Sequence, residues 1–115
     1  LGAGADAVQV KLQLTRGEHG CAPWHYDTSE SAATRQVTLL VYLSEDWRDE
    51  CGGELQLLPF LQAPVDLLPR HDRGVLFLSD RLLHRSLPPQ GAAGVTMARW
   101  LLTVWFDGSA VDAKR

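Results

Sequence analysis

The stretch Val8-Gln9-Val10-Lys11-Leu12-Gln13-Leu14-Thr15 decides the fold class. Apolar side chains occupy every second position, so the period is two and the segment reads as an extended strand with one face buried. The row Val8, Val10, Leu12 and Leu14 is the one expected to face the core. Working outward, short apolar or alternating runs recur at Trp24–Tyr26, Val37–Ser44, Glu54–Leu58, Val65–Leu68, Val75–Ser79, His84–Leu87 and Arg99–Phe106. They are separated by Arg16-Gly17, Cys51-Gly52-Gly53, Pro59, Pro64, Arg73-Gly74, Pro88-Pro89 and Gly91–Gly94, which punctuate strands rather than helices. Leu39-Leu40-Val41 and Leu101-Leu102 break strict alternation, as strands covered on both faces do. Ser44–Glu50 has room for a turn of helix, and Thr28–Thr34 reads as a loop. About eight short strands in so short a chain predict an all-β double-stranded β-helix, the jelly roll.

With 115 residues, residues 1–115 are expected to form a single domain. An apolar fraction of 45% and a net charge of −3 exclude a disordered or collagen-like chain. No apolar run approaches the ~20 residues of a membrane span. The mildly acidic balance argues against nucleic acid as a partner. Cys21 and Cys51 are too few for a disulfide framework and are expected to be free thiols. The chain opens on Leu1 without a signal-like segment, and reads as a fragment of a longer protein. Its compartment is unknown; cytoplasm or nucleus is favoured by the two thiols and the absence of a signal peptide.

Chemistry concentrates in His25-Tyr26-Asp27, at the end of a predicted strand. Residues i and i+2 of a strand share a face, so the His25 imidazole and the Asp27 carboxylate converge while Tyr26 points away. His84, opening a later run, is placed to complete a set of two imidazoles and one carboxylate. That donor set on one face of an octahedron suits non-haem Fe(II), with three positions left open. Further on, Arg99 and Thr103 share a face of the last strand. If that face is interior, the guanidinium needs a partner, and a dicarboxylate co-substrate would supply one in a bidentate fork. An Arg at the barrel mouth bonded to Asp or Glu is the alternative.

These motifs resemble the iron- and 2-oxoglutarate-dependent dioxygenases, in the prolyl 4-hydroxylase branch, nearest to the prolyl hydroxylases of hypoxia-inducible factors. The resemblance runs from Lys11 to Asp107. It rests on His25-Tyr26-Asp27, Arg35–Ser44, Asp46-Trp47, Gly52-Gly53-Glu54-Leu55, Asp72-Arg73, Phe77–Arg81, His84 and Arg99–Phe106. It implies that His25, Asp27 and His84 bind Fe(II), and that Arg99 pairs with the distal carboxylate of 2-oxoglutarate. Tyr42 and Thr103 would donate hydroxyls to the same region, and Trp105 would pack near the metal. Ascorbate is a further candidate ligand. The implied reaction hydroxylates a C–H bond, with O2 consumed and succinate and CO2 released; the implied partner is a proline-containing peptide or protein. Thr15 stands where close relatives carry a tyrosine, and the His84-to-Arg99 interval is longer than usual. The N-terminal helices that buttress such a barrel have no residues here to form them.

The alternatives are oxygenation of another amino-acid side chain or a small molecule, and a jelly-roll module that binds metal or ligand without catalysis. His19, Cys21, His25 and Asp27 alternate in a way that suggests zinc, but no second cysteine pair accompanies them. His71 reads as a solvated turn residue, Glu45–Glu50 as a solvated charged loop, and Gly52-Gly53 as a tight turn into the fourth strand.

Overall fold

The computed structural model describes residues 7–17, 22–90 and 98–108. Eight strands follow in chain order: β1 (Ala7–Arg16), β2 (Ala22–His25), β3 (Arg35–Tyr42), β4 (Leu55–Leu58), β5 (Val65–Leu67), β6 (Gly74–Leu78), β7 (Leu83–Ser86) and β8 (Ala98–Asp107). Each expected run is a strand. The room for helix in Ser44–Glu50 shrinks to a single 3-10 turn at Asp49–Cys51, and the loop after Asp27 holds another at Glu30–Ala32. No helix of the described residues is long and apolar enough to cross a membrane.

The strands form two four-stranded antiparallel sheets, ordered β1-β8-β3-β6 and β2-β7-β4-β5. This is the jelly-roll arrangement expected from the punctuation of short strands. Between the sheets, Leu40 and Tyr42 of β3, Leu55 and Leu57 of β4, Phe77 of β6 and Leu101 of β8 form the buried apolar cluster. Strand alternation makes this possible, because Leu40 and Tyr42 are two apart and so are Leu55 and Leu57.

The first strand departs from expectation. Its period is two, but three of its four apolar residues face outward: Val8, Val10 and Leu12 are exposed, Val10 by 63%, while Leu14 is half-buried and lines the cavity. Lys11, Gln13 and Thr15 line the space between the sheets instead, and Thr15 is buried. The register carries this inversion across the sheet. Val10 pairs with Val104, itself paired with Leu39, whereas Lys11 pairs with Thr103 and Thr15 with Arg99. The exposed apolar face continues through Leu76, Leu78 and Trp100. Alternation defines two rows on a strand without specifying which is inside; the cavity between the sheets takes the polar one.

Stability should follow the observed faces. Leu55→Ala is expected to cost about 2–5 kcal/mol, as a cavity in the packed cluster. Val10→Thr, on the outer face, should change stability by no more than about 0.5 kcal/mol. Denaturant midpoints of the two variants check this, and a Val10→Thr loss as large as that of Leu55→Ala would contradict the placement.

Candidate metal centre and anion pocket

His25 and His84 are brought together by sheet register. They are direct partners on antiparallel β2 and β7, and their rings sit 4.2 Å apart. Asp27 lies just past β2, where the chain leaves for the opposite sheet; its N–H donates to the Ser79 carbonyl at 3.0 Å. The Asp27 Oδ1 lies 3.3 Å from His25 Nε2 and 3.1 Å from His84 Nε2. Ligand atoms of the three residues all lie within 4.8 Å of one another. Tyr26 points away and is exposed, as alternation requires.

The tautomers follow from the backbone. His25 Nδ1 lies 2.6 Å from the Pro23 carbonyl and His84 Nδ1 lies 3.0 Å from the Leu82 carbonyl. A carbonyl only accepts, so both Nδ1 atoms carry protons and donate them. In the neutral rings both Nε2 atoms then present lone pairs toward a carboxylate oxygen. Three acceptors facing one another are stable only around a cation, either a proton or a metal ion. Burial alone would raise the Asp27 pKa, but hydrogen bonds from His25, His84 and Thr38 outweigh it and hold the carboxyl well below its usual range. The hydrogen bond to Asp27 likewise lifts the His25 pKa above 6.5, against the opposing effect of burial.

The second Asp27 oxygen is held from the other sheet. Oδ2 accepts from Thr38 Oγ1 at 2.7 Å and from Trp105 Nε1 at 3.2 Å. Thr38 and Ser79 are both fully buried, and their hydroxyl oxygens are 2.8 Å apart. Since Thr38 spends its proton on the carboxylate, Ser79 must donate to Thr38. Arg35 adds a third brace: its Nη1 donates to the Asp27 carbonyl at 3.0 Å, and its guanidinium lies 3.8 Å from the centroid of Trp105. Trp105 thus lies beside the carboxylate as expected. Thr38, Ser79 and Arg35 were not singled out by sequence, because nothing local marks a buried hydroxyl whose partner is 41 residues away.

Arg99 lies in the same cavity, whose volume is about 450 Å³ and whose lining includes His25, Asp27, His84, Thr103 and Thr15. It is 3% exposed, yet pairs with no carboxylate among the described residues. Its Nη1 donates to the carbonyls of Gly53, at 2.8 Å, and Leu87, at 3.0 Å, while its buried Nε has no partner. Burial therefore lowers its pKa, with nearby Tyr42 opposing. The Asp or Glu alternative for Arg99 is not what the structure shows. Gly53 is more than a flexible turn: at φ +72° its Cβ would fall 2.9 Å from the Trp47 ring and 3.3 Å from Arg99 Nη1. Tyr42 is buried in the apolar cluster, close enough to this guanidinium for the two to interact electrostatically. Burial pushes its phenol up to about 12, opposed by Arg99 and Arg73.

Of the alternating zinc set, His19 and Cys21 lie outside the described residues, as do residues 91–97 of the long interval before Arg99. Cys51 is a buried free thiol. His71 sits half-exposed beside Asp72, in a turn.

Two outcomes follow for metal binding. The imidazolium proton of His25 must leave before a metal enters, so affinity for a divalent ion should rise with pH and level off once His25 is neutral. Isothermal titration between about pH 6 and 8 measures this; an affinity independent of pH would contradict the lifted His25 pKa. Thr38→Val keeps the shape but removes a donor to Asp27. It should weaken metal binding about 10- to 100-fold, the range for groups that orient a ligand.

With this geometry in view, the likeness to other proteins is specific. Residues 12–107 match the family model of the 2OG-Fe(II) oxygenase superfamily. A prolyl 4-hydroxylase structure from Phytophthora capsici is 47% identical with a TM-score of 0.79, over 91% of this chain and 34% of that one. A Pseudomonas putida prolyl-4-hydroxylase is 25% identical with a TM-score of 0.82, over 94% of this chain and 55% of that one. A Trichoplax adhaerens prolyl hydroxylase, in complex with a hypoxia-inducible factor oxygen degradation domain peptide fragment, is 28% identical with a TM-score of 0.78; the match covers 96% of this chain and 46% of that one. The chain thus spans between about a third and just over half of these relatives' lengths. On sequence and fold together, this chain belongs to the 2OG-Fe(II) oxygenase superfamily.

Proposed function

We propose that residues 1–115 form the catalytic core of an Fe(II)- and 2-oxoglutarate-dependent dioxygenase that hydroxylates prolyl residues in a peptide or protein. The observation that carries this reading is one cavity holding both a His-Asp-His acceptor cluster and a buried guanidinium without a carboxylate. His25, Asp27 and His84 would hold the metal, their donor set being that of non-haem Fe(II) centres. Arg99 would hold the distal carboxylate of 2-oxoglutarate, since a buried cation needs an anion and a guanidinium fits a carboxylate in a fork. Thr103, buried on the same face, is a candidate hydroxyl donor to that anion. Tyr42, buried near Arg99, is a second candidate hydroxyl donor to the same region.

The chemistry such a metal supplies, with 2-oxoglutarate as co-substrate, is O2 activation ending in C–H hydroxylation and release of succinate and CO2. The protein's own contribution is positional. Thr38 and Trp105 fix one carboxylate oxygen so that the other faces the imidazoles. The Gly53 and Leu87 carbonyls fix Arg99. The proline assignment draws on the prolyl 4-hydroxylase relatives, and a reducing compartment, cytoplasm or nucleus, is consistent with the free thiol of Cys51.

Anaerobic addition of Fe(II) and 2-oxoglutarate should produce a visible charge-transfer band. His25→Ala should abolish it. Arg99→Ala should raise the 2-oxoglutarate requirement about 10- to 100-fold, as expected for charge-assisted hydrogen bonds. A band indifferent to both substitutions would refute the assignment. Mass spectrometry on a peptide panel should then find one added oxygen on proline; oxidation confined to other residues would refute the substrate.

A further inference from the structure

From Gln9 to Thr15 the inward row of β1 is polar: Gln9, Lys11, Gln13 and Thr15. A row that faced packed core would be apolar, as the inward residues Leu40 and Tyr42 of β3 are. The β1 row therefore serves the cavity, and its members divide by register. Thr15 lies opposite Arg99, at the anion end. Gln9 lies opposite Trp105 and accepts from Arg35 through Oε1, so it is committed to the brace around Asp27. Lys11 stands between them, opposite Thr103, exposed, lining the cavity and ion-paired with no described residue. It is one of only two lysines in the chain, the other being Lys114. Because β1 is an edge strand of its sheet, Lys11 is open to an incoming molecule.

The charges of the cavity sharpen its role. The charged lining residues are Lys11, Arg16, Arg99 and Asp27, with His25 and His84 neutral as metal ligands. A divalent metal and a dianionic co-substrate cancel each other, and Asp27 cancels Arg99. Lys11 and Arg16 are left uncompensated, and of the two only Lys11 stands in the inward row, opposite Thr103; Arg16 belongs to the other row, at the strand's end. We propose that Lys11 is a specificity-determining residue that reads an acidic side chain next to the modified residue, so that the substrate is an acidic peptide. This rests on the oxygenase reading for its charge balance, but on register and exposure alone for the position of Lys11.

The test uses two fluorescein-labelled proline peptides that differ only in a Glu or a Gln beside the proline. Binding is read by anisotropy, without turnover, in the presence of Mn(II) and 2-oxoglutarate. The chain should prefer the Glu peptide by about three- to fivefold, the size of one partly exposed ion pair. The preference should shrink with added salt. Lys11→Gln should erase it, Lys11→Glu should reverse it and Lys11→Arg should keep it; each change is at an exposed position. A Glu-to-Gln ratio that ignores residue 11, or no binding of either peptide, overturns the proposal. Mn(II) titration of the same samples separates the two readings. Discrimination that tracks residue 11 in a chain that binds no metal would refute the oxygenase and sustain the acidic-peptide site. Metal and 2-oxoglutarate binding without discrimination would do the opposite.

Discussion

The rest of the site depends on one carboxylate. Asp27 stands where the chain passes from one sheet to the other, and its two oxygens face opposite ways. Oδ1 faces the imidazoles of β2 and β7; Oδ2 is held by Thr38 of β3 and Trp105 of β8. Burying a carboxylate is costly unless every lone pair finds a donor or a cation. Thr38 and Trp105 meet that need on one side without using the Oδ1 side, so a cation there is bound by an oxygen already oriented. The backbone joins in, since the Asp27 N–H and carbonyl are tied to Ser79 and Arg35. Rotating the carboxylate would break contacts in both sheets at once, which confines it to a single pose.

Arg99 presents the converse problem. Two backbone carbonyls take up one of its nitrogens, and its Nε has no partner. A structure optimised for stability alone would place a carboxylate or an apolar residue there. The glycine that leaves room for it, with Trp47 packed against the same point, indicates that the surroundings are shaped to keep the guanidinium in place. Local rules broken inside an otherwise consistent sheet mark a binding function, since the folded chain alone gains nothing from them.

Much of this was legible in the sequence. The eight strands follow from period-two runs and Gly/Pro punctuation, and the meeting of His25 with Asp27 from the two-residue period. The place of His84 beside them was an inference from its run and from the family likeness; register supplies the reason, since His25 and His84 are strand partners. What could not be read was the sidedness of β1 and the hydroxyls behind Asp27. Sidedness is decided by what the inward row meets, and the partners of that row on β8 are Trp105, Thr103, Leu101 and Arg99, of which only Leu101 belongs to the apolar cluster. Thr38 and Ser79 look like ordinary strand and turn residues until a contact 41 positions apart joins them. Tyr42 was expected among the co-substrate contacts; its phenol is buried with the apolar cluster, close enough to Arg99 for the two to interact electrostatically.

The inversion of β1 follows from how the sandwich divides its interior. Strands β3, β4, β6 and β8 pack Leu40, Tyr42, Leu55, Leu57, Phe77 and Leu101 into a small apolar cluster. The cavity adjoins it: β1, β2, β7 and β8 supply most of the cavity lining, and Leu40, Leu55 and Leu101 of the cluster line it too. Strand β8 serves both, because Leu101 of its inward row belongs to the cluster and lines the cavity together with Arg99, Thr103 and Trp105. Strand β1 adds no side chain to the cluster, so its polar row can turn toward the cavity without losing hydration. The apolar row is then outward by geometry, and Val8, Val10 and Leu12 align with the outer residues of β8 and β3. The polar inner row and the apolar outer face of this sheet are therefore one consequence of building a wet cavity at the edge of a β-sandwich.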